Sequence, residues 1–183
     1  MTDSRPGSAE AFFVSEGDRF IATPHTSGPW SRELQHAGPP SALLARAIEV
    51  AVADDPALAV ARLTVELMAP IPLAAFEIET SILRAGRKVR RIDATLTTGG
   101  RAIARASGLA IRTGDGQGPP AQDVWARPEP PELGTPHMFP VVITEPVGYA
   151  EAADVRRVAG ATQEGGVAAW IRSRVALVAG AAP

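Results

Sequence analysis

From Pro39 to about Ala53 nearly every residue is Ala, Leu, Ile or Val, and Arg46 and Glu49 are the only charges before Asp54. A helix on a protein surface shows an apolar stripe opposite a polar one, and this segment has no polar side to present. It predicts a helix buried on most of its faces and stopped by Asp54-Asp55-Pro56. Four strand-like segments follow. Leu63, Val65 and Leu67 alternate with Arg62, Thr64 and Glu66, and Phe76, Ile78 and Ile82 with Glu77, Glu79 and Ser81. A third runs around Val89 to Thr97 after the turn Ala85-Gly86, and a fourth from Arg101 to Arg112 after Gly99-Gly100. In the fourth, one register reads Ala102, Ala104, Ala106, Gly108, Ala110, a face with almost no bulk. The helix, a ligand or a partner sheet would fit against it. The expected class is α+β, an antiparallel sheet wrapped around one central helix.

Ahead of the helix, Phe12-Phe13-Val14 and Arg19-Phe20-Ile21-Ala22 flank the turn-like Ser15-Glu16-Gly17-Asp18 and read as a hairpin or a bent edge strand. Thr23 to Pro29 is loop. After the fourth strand, Thr113 to Pro140 is rich in proline and glycine, which interrupt both helix and sheet, and reads as a linker. Tyr149 to Val158 and Val167 to Val178 then alternate like strands, joined by a loop from Gly160 to Gly166. The expected organisation is residues 1–113, 114–146 as linker, and 147–183.

Several function classes are disfavoured. Eighteen basic against twenty acidic residues lack the cationic excess of a nucleic-acid binder. Without cysteine there is no disulfide, thiol nucleophile or thiolate metal site, and His25, His36 and His137 match no zinc spacing, so no zinc site is expected. No Gly-Xaa-Ser-Xaa-Gly elbow is present, and Gly86-Arg87-Lys88 lacks the rest of a phosphate-binding loop. Residues 1–10 do not read as a secretory signal and no apolar run reaches membrane-spanning length, which makes the cytoplasm the default location.

The polar entry to the helix, Leu34-Gln35-His36-Ala37-Gly38-Pro39-Pro40, carries the candidate chemistry. Helix starts hold unpaired N–H groups and a partial positive charge, which suit the oxygen of an activated carbonyl. Equally, Gly and Pro there make a tight entry to a core helix. His36 can orient water, act as a base or hydrogen-bond a carbonyl, or it is only a capping residue. Gln35 can position water, or it is a solvated amide. Ala37 and Gly38 would supply amides, and Trp30 would pack over the helix start or a ligand. Asp93 reads as lying on the solvated face of its strand and Glu49 as an ion-pair partner of Arg46. The cluster Arg84, Arg87, Lys88, Arg90, Arg91 either attracts phosphates or keeps a hairpin tip soluble. Trp125 and Trp170 read as packing residues.

The order of these elements resembles a hotdog domain. Trp30, the run Leu34 to Glu49, Arg62-Leu63-Thr64-Val65-Glu66-Leu67, Gly86-Arg87-Lys88-Val89, Ile103-Ala104-Arg105-Ala106 and Ala169-Trp170-Ile171-Arg172 are similar to actinobacterial thioesterases related to acyl-CoA thioesterase II. The resemblance spans about Phe12 to Gly180. It implies a complete first hotdog, the opening strands of a second, partial repeat, and hydrolysis of a fatty acyl-CoA without a cofactor. Gln35 and His36 would serve catalysis, with Ala37, Gly38, Trp30, Arg87 and Lys88 binding the substrate. In that family the catalytic acid lies on the second repeat's helix, beyond Pro183, and the loop reads His-Gly-Gly where this chain has His36-Ala37-Gly38. A homodimer is expected, the first repeats pairing between chains. The alternative is a degenerate hotdog that binds acyl-CoA or mediates oligomerisation without turnover.

Overall fold

The computed structural model describes residues 10–114, 129–137, 148–158 and 168–180. Strand β1 (Ala11–Glu16) buries Phe12 and Phe13, Gly17 turns the chain at a φ of 61°, and β2 (Arg19–Ala22) returns antiparallel with Val14 opposite Ile21. A single 3-10 turn at Pro24–Thr26 leads into the loop before α1 (Gly38–Val50). The four long strands are β3 (Leu58–Leu67), β4 (Ala75–Ala85), β5 (Val89–Thr98) and β6 (Arg101–Arg112).

Beyond them come β7 (Thr135–Pro136), the one-turn helix α2 (Tyr149–Ala152), β8 (Ala153–Val158), β9 (Ala168–Ser173) and β10 (Ala176–Val178). One sheet has the order β10-β1-β2-β4-β5-β6-β3 and a second β7-β8-β9. All pairings are antiparallel except β1 with β10.

Helix α1 lies on the larger sheet. Leu43, Leu44 and Ile48 meet Phe13, Phe76, Ile92 and Leu96, and these side chains are sealed from solvent. Each contributes about 1.5–3 kcal/mol of hydrophobic stabilisation. The helix itself occupies the bare face of β6. A Cβ on Gly108 would stand 2.5 Å from Ile48 Cγ2, so the missing side chain is the space into which Ile48 fits. The expected burial on most faces is incomplete, because the sheet covers the side bearing Leu43, Leu44 and Ile48 while Ala42, Glu49 and Val50 are exposed. At the helix end Arg90 pairs with Asp54 at 2.6 Å and Arg112 with Asp55, tying the β4–β5 and β6 ends to the residues that stop α1.

Two expectations for the later segment are corrected. Tyr149 to Ala152 are helical rather than extended, because Gly148 turns at a φ of 54° and the Tyr149 amide donates to Ser27 O at 3.0 Å, folding the chain against the Pro24 turn. The strand expected over Val167 to Val178 divides. Ser173 Oγ caps a bend by donating to Val175 O, after which β10 leaves β9 and pairs with β1, Phe13 opposite Val178, burying both. Trp125 and the Gly160 to Gly166 loop lie outside the described residues. Trp170 donates its indole N–H to Glu129 O at 2.8 Å and is part-exposed.

Candidate active site at the start of the central helix

Leu34 to His36 are pinned on both sides. Gly28 N–H donates to Leu34 O (2.9 Å), His36 N–H to Thr26 O (2.8 Å) and Gln35 N–H to Ile71 O (2.8 Å). Bridges Ser27–Gln35 and Leu34–Pro72 make this stretch a local strand. Successive side chains of an extended backbone point to opposite sides, and the two candidate residues separate accordingly. Gln35 and Ala37 line a cavity of about 320 Å³ with Trp30, Leu34, Leu67, Ala69, Pro70 and Ile71. His36 lies flat against Tyr149, ring centroids 4.1 Å apart and planes within 7°.

Gln35 is 7% exposed and donates through Nε2 to Pro72 O at 2.8 Å. Its Oε1 is buried with no donor among the described residues. A buried acceptor left unpaired costs about 1–3 kcal/mol, so this oxygen is a standing demand for a hydrogen-bond donor from whatever enters the cavity. It is not the solvated amide that the sequence also allowed.

The helix start offers fewer donors than its sequence suggests. Pro39 and Pro40 have no N–H, and the Gly38 amide donates to His36 Nδ1 at 3.0 Å. Among the described residues the Ala37 amide donates to nothing, while Ala37 O accepts from both the amide and the hydroxyl of Ser41. Ala37, not Gly38, is therefore the amide left for a carbonyl. The same bond settles the state of His36. An accepting Nδ1 is unprotonated, so the neutral ring carries its proton on Nε2 and acts as a hydrogen-bond donor there, with no free lone pair to serve as a base. Burial lowers the pKa of His36 from its ordinary value and keeps the ring neutral.

Trp30, 77% exposed, lies roughly parallel to His36 at 6.1 Å and also lines the cavity, at its mouth. Arg87 and Lys88 are not brought to this site. Arg112 Nε donates to Arg87 O and the Arg112 amide to Lys88 O, which fixes that turn at the other end of α1, roughly 20 Å along a helix of this length. Asp93 is on the sheet face turned away from α1, accepting from Ser107 Oγ at 2.7 Å, and Glu49 is exposed. Among the described residues no three His, Cys, Asp or Glu side chains are placed to hold a metal, and no helix is long and apolar enough to cross a membrane. Tyr149 is the residue that sequence reasoning missed. The available signal was a glycine directly before the chain's single tyrosine.

A structure from Novosphingobium aromaticivorans, described as a proposed thioesterase, superposes with a TM-score of 0.66 at 19% identity, over 89% of this chain and 65% of that one. A conserved protein of unknown function with a hot dog fold, from Alicyclobacillus acidocaldarius, gives 0.62 at 18% identity over 88% and 60%. This chain has a hotdog fold. Within the hotdog, residues 26–111 match the family model described as the acyl-CoA thioesterase N-terminal domain, a match running from the Pro24 turn to the end of β6. A proposed thioesterase II from Thermobifida fusca is similar at 23% identity, with a TM-score of 0.53 over 84% of this chain and 55% of that one. The chain thus spans about three-fifths of the length of these hotdog structures. No curated protein matches it significantly.

Proposed function

We propose that the chain is a thioesterase II-like protein of the actinobacterial type that hydrolyses a fatty acyl-CoA in the cytoplasm, with residues 1–113 as its first hotdog, 114–146 as a linker and 147–183 opening a second repeat. The observation that carries this reading is the cavity at the start of α1, a largely apolar space lined by Gln35, whose Oε1 is buried without a donor, and by Ala37, whose amide has no acceptor, among the described residues. The Ala37 N–H would hold the thioester oxygen, as charge grows on it, more tightly than in the ground state. Gln35 Oε1 would accept a hydrogen bond from the attacking water and orient it, and Leu34, Leu67, Ala69 and Ile71 would take the start of the acyl chain. His36 holds the Gly38 amide and the loop rather than removing a proton. The base is then a carboxylate from a second hotdog, whether a further repeat or a second copy of this chain.

A second copy has a place to dock. Among the described residues strand β3 pairs only with β6, which leaves its outer edge open, and Leu63, Leu67 and Met68 are exposed along it. We read this edge as the homodimer contact. The binding-module alternative draws on one observation: among the described residues no carboxylate lines the cavity.

Release of coenzyme A from medium-chain and long-chain acyl-CoA by the purified protein tests both readings. Gln35→Ala is expected to lower kcat by about 100-fold, the scale of a lost transition-state contact. Binding of acyl-CoA without any release would replace hydrolysis by the binding-module reading.

A further inference from the structure

Tyr149 stands far outside the stretch that matches the thioesterase family model, yet it makes the closest ring contact in the site. Its position is built rather than incidental. Gly148 packs so tightly on Ser27 and on Pro24 O that a Cβ there would collide with both, and its positive φ is one that other residues rarely adopt. The Tyr149 amide donates to Ser27 O at 3.0 Å, and Ala152 N–H to Gly148 O at 3.0 Å closes the single turn of α2. The Tyr149 ring also meets Phe12 of β1, with ring centroids 5.8 Å apart and planes tilted by 35°. The phenol is therefore held by Phe12 as well as by the imidazole.

Gly38 completes the arrangement. A Cβ on Gly38 would lie 3.1 Å from His36 Nδ1 and 3.1 Å from both Cζ and the hydroxyl of Tyr149. The imidazole, the phenol and the first helical residue are thus mutually in contact, and each limits where the others can be. We infer that Tyr149 is a positioning residue of this site: by stacking on His36 it holds the ring where Nδ1 receives the Gly38 amide, and so holds Ala37 against the cavity. The consequence for catalysis rests on the thioesterase reading above; the effect on His36 does not. Of the described residues in ring or close contact here, Phe12, Trp30 and Gly38 carry no charge and Tyr149 is a phenol, so the charge that arises among them is the one His36 would acquire.

Imidazole ¹⁵N spectra of the full chain, recorded as a pH titration, test the inference without recourse to activity. The wild type is expected to show the Nε2–H tautomer. Tyr149→Leu keeps apolar bulk but removes the flat ring, and is expected to mix the tautomers and move the His36 titration up toward the ordinary histidine range. Tyr149→Phe keeps the ring and is expected to restore both. If the wild type hydrolyses acyl-CoA, Tyr149→Leu should lower kcat by between about 10- and 100-fold with KM little changed, and Tyr149→Phe should recover most of it. A folded Tyr149→Leu protein whose His36 tautomer and titration equal the wild type's overturns the inference, even where hydrolysis is real. Altered His36 spectra in a protein without turnover support it while removing the hydrolysis reading. Should Tyr149→Leu not fold, Tyr149→Met, another apolar side chain without a ring, takes its place with the same readings.

Discussion

His36 shows how one hydrogen bond redirects a residue's chemistry. A histidine beside a helix start invites the role of general base, but an Nδ1 that accepts from Gly38 leaves the ring only a proton to offer. The same bond gives the residue a defined pH dependence. Burial lowers the folded-state pKa below the ordinary 6.5, so the unfolded chain takes up a proton at a higher pH than the native one. The contribution to stability is complete above that ordinary value and is lost as pH falls through the lower, folded-state value. Protonation at Nδ1 also removes the acceptor for the Gly38 amide. Thermal unfolding followed from pH 8 to pH 5 is expected to show a falling Tm over the lower part of that range, and His36→Gln to flatten it. An equal slope in the variant would assign the dependence to other groups.

The elements legible in the sequence are those written in a local pattern. That pattern is an alternation of apolar and polar residues in β3 and β4, short aromatic runs around a turn in β1 and β2, a row of small residues in β6, and an almost unbroken apolar run in α1. Contact of α1 with the bare face of β6 was one of three occupants that the sequence allowed, and Ile48 over Gly108 selects it. Gly108→Ala is expected to cost about 1–3 kcal/mol through overpacking, read as a shift in the denaturant midpoint. Paired with Ile48→Ala it should cost less than the sum of the two single changes, and strict additivity would mean that the two residues do not share that space. What the sequence concealed is of another kind. The turn at Tyr149 depends on Ser27, and the departure of β10 from β9 depends on Phe13. Neither partner is within reach of any local pattern. The orphaned Gln35 oxygen was hidden likewise, because a glutamine in a polar loop looks solvated until Ile71 and Pro72 close over it.

On the scale of the molecule, the large sheet ends in the short β10 on one side and the long β3 on the other. Among the described residues β3 offers its outer edge together with exposed Leu63, Leu67 and Met68. Self-association through this edge is expected to weaken by about tenfold or more on Leu63→Lys, since charge is disfavoured at the centre of an interface. Sedimentation over a range of protein concentrations measures the change, and a variant that associates as the wild type does would move the contact elsewhere. The pairing of β10 with β1 has a mechanical side. Because β1 and β10 run parallel, with Glu10 O receiving the Ala176 amide and Phe13 O the Ala179 amide, a pull between residues 10 and 179 drives the two strands past each other. Their hydrogen bonds are then loaded together rather than opened one at a time, so under tension the sheet is closed by a clasp, not a zipper.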